Sequence, residues 1–298
     1  MGYLLSVLLG ILEEGLVYAI MALGVYITYK ILDFPDLSVD GTFPLGGAIT
    51  AVLIIAGVHP LVTLFLAFLT GAVAGILTGL IHVKLKVRDL LSGIIMMTAL
   101  YSLNLRIAGK ANVAIFTRET IFENAFLDAV VPGGFQPYLT AFLLLLIVII
   151  MKLLLDLYLK TKSGYLLRAV GDNATLVTSL AKDKGSVKII GLALANAFVA
   201  LAGCIYTQKI GFFEISTGTG AIVIGLASVI IGINAFKHIP RVRATSAVII
   251  GSIIYKACVA LAISAGMAAS DLKLITAALF LVILVVSNDR KRRVKAHD

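Results

Sequence analysis

Three carboxylates crowd one short stretch, Asp33-Phe34-Pro35-Asp36-Leu37-Ser38-Val39-Asp40-Gly41, and Pro44 follows closely. Charges inside an otherwise apolar sequence are costly and mark a cavity, a counter-ion or an ion pathway. Asp33, Phe34, Pro35, Asp36, Ser38 and Asp40 are therefore candidate path residues. A second polar interruption, Gly211 to Gly220, adds Glu214 and Ser216. Lys256, within Ile254-Tyr255-Lys256-Ala257, is a lone cation in an apolar run and joins the same set. Pro35 and Pro44 forbid a continuous helix there. Broken backbone at membrane depth survives only where protein or a water-filled cavity satisfies it.

Hydrolytic chemistry finds no support. Gly218-Thr219-Gly220 lacks the following lysine of a phosphate loop, and there is no His-Glu-x-x-His pair or Gly-x-Ser-x-Gly elbow. His59, His82, His238 and His297 are scattered, and Cys204 and Cys258 lie in apolar runs without metal-ligand spacing. No catalytic, metal or cofactor residue is assigned. Any uphill transport would draw its energy from a partner ATPase or an ion gradient.

The elements that position these residues follow from composition. Of 298 residues, 60% are hydrophobic and 14% charged, against roughly 45–50% and 25% in soluble domains. The excess apolar surface calls for lipid as solvent. The runs are long and continuous, as in Leu139 to Met151 and Ala244 to Ser264, which favours helices over the short alternating segments of a barrel. Hydropathy predicts an all-α polytopic membrane protein with about nine spans (eight to ten). Their limits are 4–29, 43–57, 60–81, 90–107, 138–158, 187–207, 217–234, 244–265 and 270–287.

With a net charge of +9, basic connections facing anionic lipid are expected rather than nucleic-acid binding. Placing the C-terminus in the cytoplasm leaves only Arg106, Lys110, Arg118, Lys209 and Lys273 outside, with Lys256 inside a span. The tail Arg290 to Arg293 then acts as a stop signal. Two connections are long: an external one at 108–137 and an internal, charged one at 159–186.

The two interruptions also align. Laying residues 22–47 over 200–225 sets Ala22-Leu23 on Ala200-Leu201, Phe34 on Phe212, Asp36 on Glu214, Ser38 on Ser216 and Gly47 on Gly225. The first copy crosses outside to inside and the second the reverse. The expectation is a single permease-like domain over 1–298 built as two inverted repeats, about 4–107 and 187–287, a transporter signature. Gly71, Gly75 and Gly79 recur every fourth residue and serve close helix packing.

Residues 159–186 predict two short amphipathic helices at the inner face around a turn or cap at Gly171-Asp172-Asn173. Their apolar side includes Leu166, Leu167, Leu176 and Leu180. Here the chain resembles a known family. Gly164-x-x-x-Arg168-Ala169-x-Gly171-Asp172-Asn173 resembles the coupling segment of branched-chain-amino-acid-type permeases of ATP-binding-cassette importers. Gly15-Leu16-Val17-Tyr18-Ala19-Ile20-x-Ala22-Leu23-Gly24-Val25 followed by Asp33 to Leu37 and Asp40-Gly41 is similar to that family's opening span and loop, and Ile222 to Gly232 fits as well. The chain departs at Ala174 and Ala181, where Pro and Gly are expected.

The resemblance implies a permease subunit that moves a small solute, an amino acid or similar, delivered by an external solute-binding protein. It implies two cytoplasmic ATPase subunits that hold ATP and magnesium, with no cofactor in this chain, and a second permease copy as a homodimer. Arg168, Ala169, Gly171, Asp172, Asn173, Leu176 and Leu180 would couple to the ATPase. Phe116, Arg118, Glu119, Glu123 and Asp128 would dock the binding protein. The implied location is a bacterial or archaeal cytoplasmic membrane. The alternatives are an ion-coupled secondary transporter using Asp33, Asp36, Asp40 or Lys256, or a permease for sugars or nucleosides.

Overall fold

A computed structural model describes residues 3–172, 183–237, 239, 241–266 and 271–295, with backbone alone at 3, 4, 126, 128, 272, 273 and 286–295. Helices dominate because lipid offers no hydrogen-bonding partner, so each span must satisfy its own backbone. They are α1 (Tyr3–Tyr26), α2 (Val39–Ile55), α3 (Pro60–Val83), α4 (Asp89–Ala108), α5 (Ala125–Val130) and α6 (Gln136–Tyr158). After these come α7 (Lys162–Asp172), α8 (Lys184–Ile210), α9 (Ala221–Ala235), α10 (Ala244–Ser264) and α11 (Leu272–Lys295). A short antiparallel ribbon pairs β1 (Asn112–Ala114) with β2 (Phe212–Glu214).

Among the described residues, 7 helices are long and apolar enough to cross a membrane. The stretches Val39–Ile55 and Leu274–Val285 are apolar but shorter. Every expected span coincides with a helix, and the two short ones lie in the second and last expected spans. The chain is an all-α multi-pass membrane protein.

Local signals explain several boundaries. His59 caps α3, its Nδ1 accepting the Leu61 N–H, and Pro60 occupies a first-turn position where no N–H is needed. Gly109 and Gly211, at φ 71° and 76°, end α4 and α8 in the left-handed conformation. Asp183 caps α8 through the N–H groups of Gly185 and Ser186. The Ser186 hydroxyl and those two amides hold its carboxyl below the usual carboxylate range.

Two long helices form the centre. Residues Leu16 to Leu23 of α1 are wholly or almost wholly buried. Against them runs α8, antiparallel: Glu13 pairs with Lys209 near one end, while Gly24 meets Ala195 and Leu32 meets Gly191 toward the other. Close approach comes from small residues. Gly71, Gly75 and Gly79 of α3 sit on Asn196, Leu192 and Ile189 of α8, so this stripe packs within the chain. The rest of the packing comes in matched pairs. α2 and α3 lie on α8, and α9 and α10 lie on α1; α4 packs on α2, and α11 on α9.

One expected break falls elsewhere. Pro44 sits inside α2, whose start lies upstream at Val39. Pro44 removes the bond to the Asp40 carbonyl, and α2 continues past it to Ile55. The break is at 32–38, entered through a π-helical turn at Ile27–Ile31 and left-handed Asp33 at φ 51°. Gly171 and Asp172 belong to α7, and Asn173, the third residue of the expected turn or cap, lies outside the described residues. The lack of a side chain at Gly171 serves contact, because a Cβ there would meet the Ile31 carbonyl oxygen.

Candidate translocation site

The first residues of α2 and α9 meet, and the polar side chains of the 33–41 segment gather there. Asp40, in the first turn of α2, accepts the backbone N–H of Gly220 at 3.0 Å and of Ile222 at 2.8 Å. It thereby caps a neighbouring helix, supplying an anion where the α9 dipole is positive. Gly218 packs against the Asp40 carbonyl and the Pro44 ring with no room for a Cβ. That carbonyl is the one Pro44 leaves without its helical donor.

Four residues earlier lies a closed network. Asp36 is 1% exposed. One of its oxygens accepts the Ser38 N–H at 2.9 Å and the Ser38 hydroxyl at 2.6 Å, and the other accepts the Asn196 amide at 2.8 Å. The Asn196 oxygen accepts in turn from Thr42 at 2.7 Å. A carboxylate so enclosed persists only because every lone pair facing the protein finds a donor. Asn104 of α4 fixes the other side by donating to the Gly41 carbonyl at 2.9 Å. Its own Oδ1 is buried without a partner among the described residues.

Beside this junction opens a cavity of about 420 Å³ lined by Asp40, Pro44, Thr98, Tyr101, Ile215 and Thr219, among others. The α4 face bordering it leaves Thr98, Tyr101 and Ser102 exposed at membrane depth.

The other expected path residues divide. Phe34 is buried edge-on against His82, with ring centroids 5.1 Å apart, whereas Asp33 and Pro35 lie at the surface. Glu214 accepts a hydrogen bond from the Ser216 hydroxyl at 2.5 Å, near the cavity but not lining it. Lys256 is elsewhere: its Nζ is 2.9 Å from Glu14 and 4.0 Å over the Tyr18 ring, an inter-helix pin beside the Glu13–Lys209 pair at 3.1 Å. Sequence reasoning missed Asn196, Thr42 and Asn104. A lone amide in an apolar span is the signal that marks Asn196 and Asn104; Thr42 carries no such signal.

The expected coupling residues lie on α7 where described. Leu167 and Val170 are buried, Ala169 is half-buried, and Arg168 and Asp172 are exposed. Asn173, Leu176 and Leu180 lie outside the described residues. Just before α7, Asp156 joins Lys152 at 2.8 Å, Arg243 at 3.1 Å and Thr245 at 2.7 Å, tying the end of α6 to the start of α10. Of the expected docking residues, Phe116, Arg118, Glu119 and Glu123 are exposed on the connection next to β1; the side chain of Asp128 is not described.

Comparison with known proteins agrees with this architecture. The chain is 44% identical over 284 residues to a tyrosine transport system permease protein of Clostridioides difficile, covering 95% of this chain and 92% of that one. It is 27% identical over 259 residues to a probable branched-chain amino acid transport permease protein, LivH, of Methanocaldococcus jannaschii, covering 82% and 78%. It is 25% identical over 229 residues to the ribose import permease protein RbsC of Escherichia coli, covering 76% and 68%. No solved structure matches. The model of the branched-chain amino acid transport system permease component matches residues 7–286, and the chain belongs to that family.

Proposed function

We propose that this permease moves an amino acid, with an aromatic one such as tyrosine as first candidate, through an importer powered by separate ATP-binding-cassette subunits. The observation that carries the substrate is the 44% identity, over 95% of this chain, to a tyrosine permease. A binding protein outside delivers the solute, the ATPases act on α7 from the cytoplasm, and the C-terminus is cytoplasmic.

Two halves of opposite orientation, α1 to α4 and α8 to α11, alternate access at the junction where α2 and α9 begin. This reading is supported by the matched packing pairs and the antiparallel α1 and α8. It is also supported by equivalent contacts: Gly47 approaches Gly203, and Gly225 approaches Val25, the same pair with the two copies exchanged. Helices broken at equivalent places, with their starts facing a central site, suit alternating access. A second copy of the chain completes the path across the hydroxyl-bearing face of α4, since exposed hydroxyls are disfavoured against lipid. Asp36 and Asp40 are held by protein donors, which favours a structural role for them over ion coupling.

The test is uptake into vesicles holding this chain with its ATPase and binding protein. Tyrosine uptake that requires internal ATP is expected. Accumulation driven by an ion gradient with the permease alone would overturn the importer reading, and ATP-driven uptake of ribose but not tyrosine would overturn the substrate.

A further inference from the structure

Away from the α4 face, α3 and α6 flank a groove whose floor is α8. Leu64, Phe65, Phe68, Ile147, Leu154 and Phe198 are among its walls, and its volume is about 630 Å³. On α6 it extends from Leu143 to Tyr158, a rise of about 22 Å, most of a bilayer's ~30 Å hydrocarbon thickness. The Tyr158 hydroxyl is the one polar side-chain group among its lining residues, and it is engaged with Ser163 at 3.0 Å.

At the end near the 109–135 connection the groove does not close. Leu61 and Ile121 also line a second cleft of about 450 Å³, more polar than the groove because His59, Glu119, Thr120 and Asn124 line it too. A third, of about 360 Å³, shares His59, Pro60 and Glu119 with it and adds Arg118. Thr120 and Asn124 spend their groups on the backbone of the same connection. The His59 Nδ1 accepts the Leu61 N–H, which leaves Nε2 as a donor. Arg118 and Glu119 have no ionic partner among the described residues, and one Glu119 oxygen accepts the Ala125 N–H at 3.5 Å, leaving the other to face the cleft. The mouth therefore offers two donors that suit a phosphate and one carboxylate that suits an amine.

We infer that this continuous feature binds one phospholipid with a primary-amine headgroup: its acyl chains lie along the leaflet-deep part of the groove next to the mouth, its phosphate meets His59 and Arg118, and its ammonium meets Glu119. The amphipathic division of the cavity and the paired signs at its mouth select this occupant. A transmembrane helix of another protein would fill the groove but leave the charged mouth unmatched. The site is independent of what the permease carries.

The chain contains no tryptophan, so an introduced one reports on its own surroundings. Phe65→Trp replaces one aromatic by another on the groove wall, 63% exposed. Leu145→Trp, on the face of α6 turned away from the groove, is the control. Each full-length variant is reconstituted in phosphatidylcholine vesicles with increasing fractions of chain-brominated phosphatidylethanolamine, phosphatidylglycerol or phosphatidylcholine.

Brominated phosphatidylethanolamine should quench the indole of Phe65→Trp about two- to fivefold more effectively than its mole fraction predicts, as an exposed ammonium–carboxylate pair would give. The control should follow mole fraction for every lipid. Adding Glu119→Gln should abolish the preference of Phe65→Trp. Equal quenching by all three lipids would overturn the proposal, as would a preference that survives Glu119→Gln. Absence of quenching of Phe65→Trp by any lipid would also overturn it, placing protein in the groove. A readout free of the tryptophan substitutions is the lipid retained by the unmodified chain after detergent extraction, measured by mass spectrometry. Phosphatidylethanolamine should be enriched there and lost in Glu119→Gln; no enrichment counts against the site.

Discussion

The carboxylate of Asp40 accepts the backbone N–H of Ile222 at 2.8 Å, so a residue in the first turn of α2 caps α9. Neither helix supplies its own side-chain cap at this point: no side-chain cap bond comes from Ser38 for α2 or from Gly220 for α9. The start of one broken segment is thus held by the other. Any rearrangement that separates the two must give up two charge-assisted hydrogen bonds at once.

Removing this cap should loosen α9 and impair transport together. Asp40→Ala should cost about 0.5–2 kcal/mol, the usual loss for an acidic or polar cap. Asp40→Asn keeps acceptor capacity while losing the charge opposite the helix dipole, and should cost about 0.3–1 kcal/mol. Thermal unfolding of the purified chain measures the first effect, and ATP-driven uptake the second. Wild-type behaviour of both variants in both assays would mean that the junction does not depend on Asp40.

The Asp36 network should be the least tolerant polar site. Asn196→Leu removes the donor to one Asp36 oxygen and the acceptor of Thr42. The Ser38 donors remain, and leaving the other oxygen of a buried carboxylate without its donor costs about 1–3 kcal/mol. Asp36→Asn in the same background removes that charge and should recover part of the loss. A double mutant less stable than Asn196→Leu alone would contradict the pairing.

The membrane class, the helices and the positions of the two interruptions were legible because apolar runs of span length have few alternative explanations. What each polar residue touches was not. Asp33, Asp36 and Asp40 look alike in sequence, yet one faces outward, one is sealed against Asn196 and one caps α9. Asn196, which seals Asp36, and Gly220, which Asp40 caps, lie more than 150 residues away, where no local spacing rule reaches. Pro44 misled for a related reason: a proline inside a helix costs a bond without always ending it, and only the placement of Val39 at the start showed that α2 runs through Pro44. Lys256 advertised a counter-ion correctly, but Glu14 was recognisable as that partner only once α1 and α10 were packed together.

Because Lys256 pins helices and does not line the 420 Å³ cavity, its loss should affect stability more than transport. Lys256→Met retains the stem and loses the ion pair and the contact with Tyr18. The expected cost is about 0.5–2 kcal/mol, the range for an exposed to a desolvated cation–π contact. Glu14→Gln should give a smaller loss, and the double variant should be less destabilised than the sum. Uptake that collapses while the melting temperature holds would return Lys256 to the path.

A packed and an exposed residue of α7 should separate coupling from assembly. Gly171 abuts the Ile31 carbonyl, at the π-helical turn that leads into the broken segment, whereas the Arg168 side chain one turn earlier is exposed. Gly171→Ala forces a methyl group into that contact, and overpacking of this kind costs about 1–3 kcal/mol. The ATPase subunits should still co-purify with this variant, because the surface they meet is unchanged. Solute should no longer stimulate ATP hydrolysis, and uptake should fall, since α7 cannot seat against the turn it moves. Arg168→Glu should do the reverse, weakening co-purification while the isolated permease keeps its melting temperature. If Gly171→Ala instead released the ATPase and left the permease fold intact, α7 would be a docking surface alone, and motion would enter the membrane by another route.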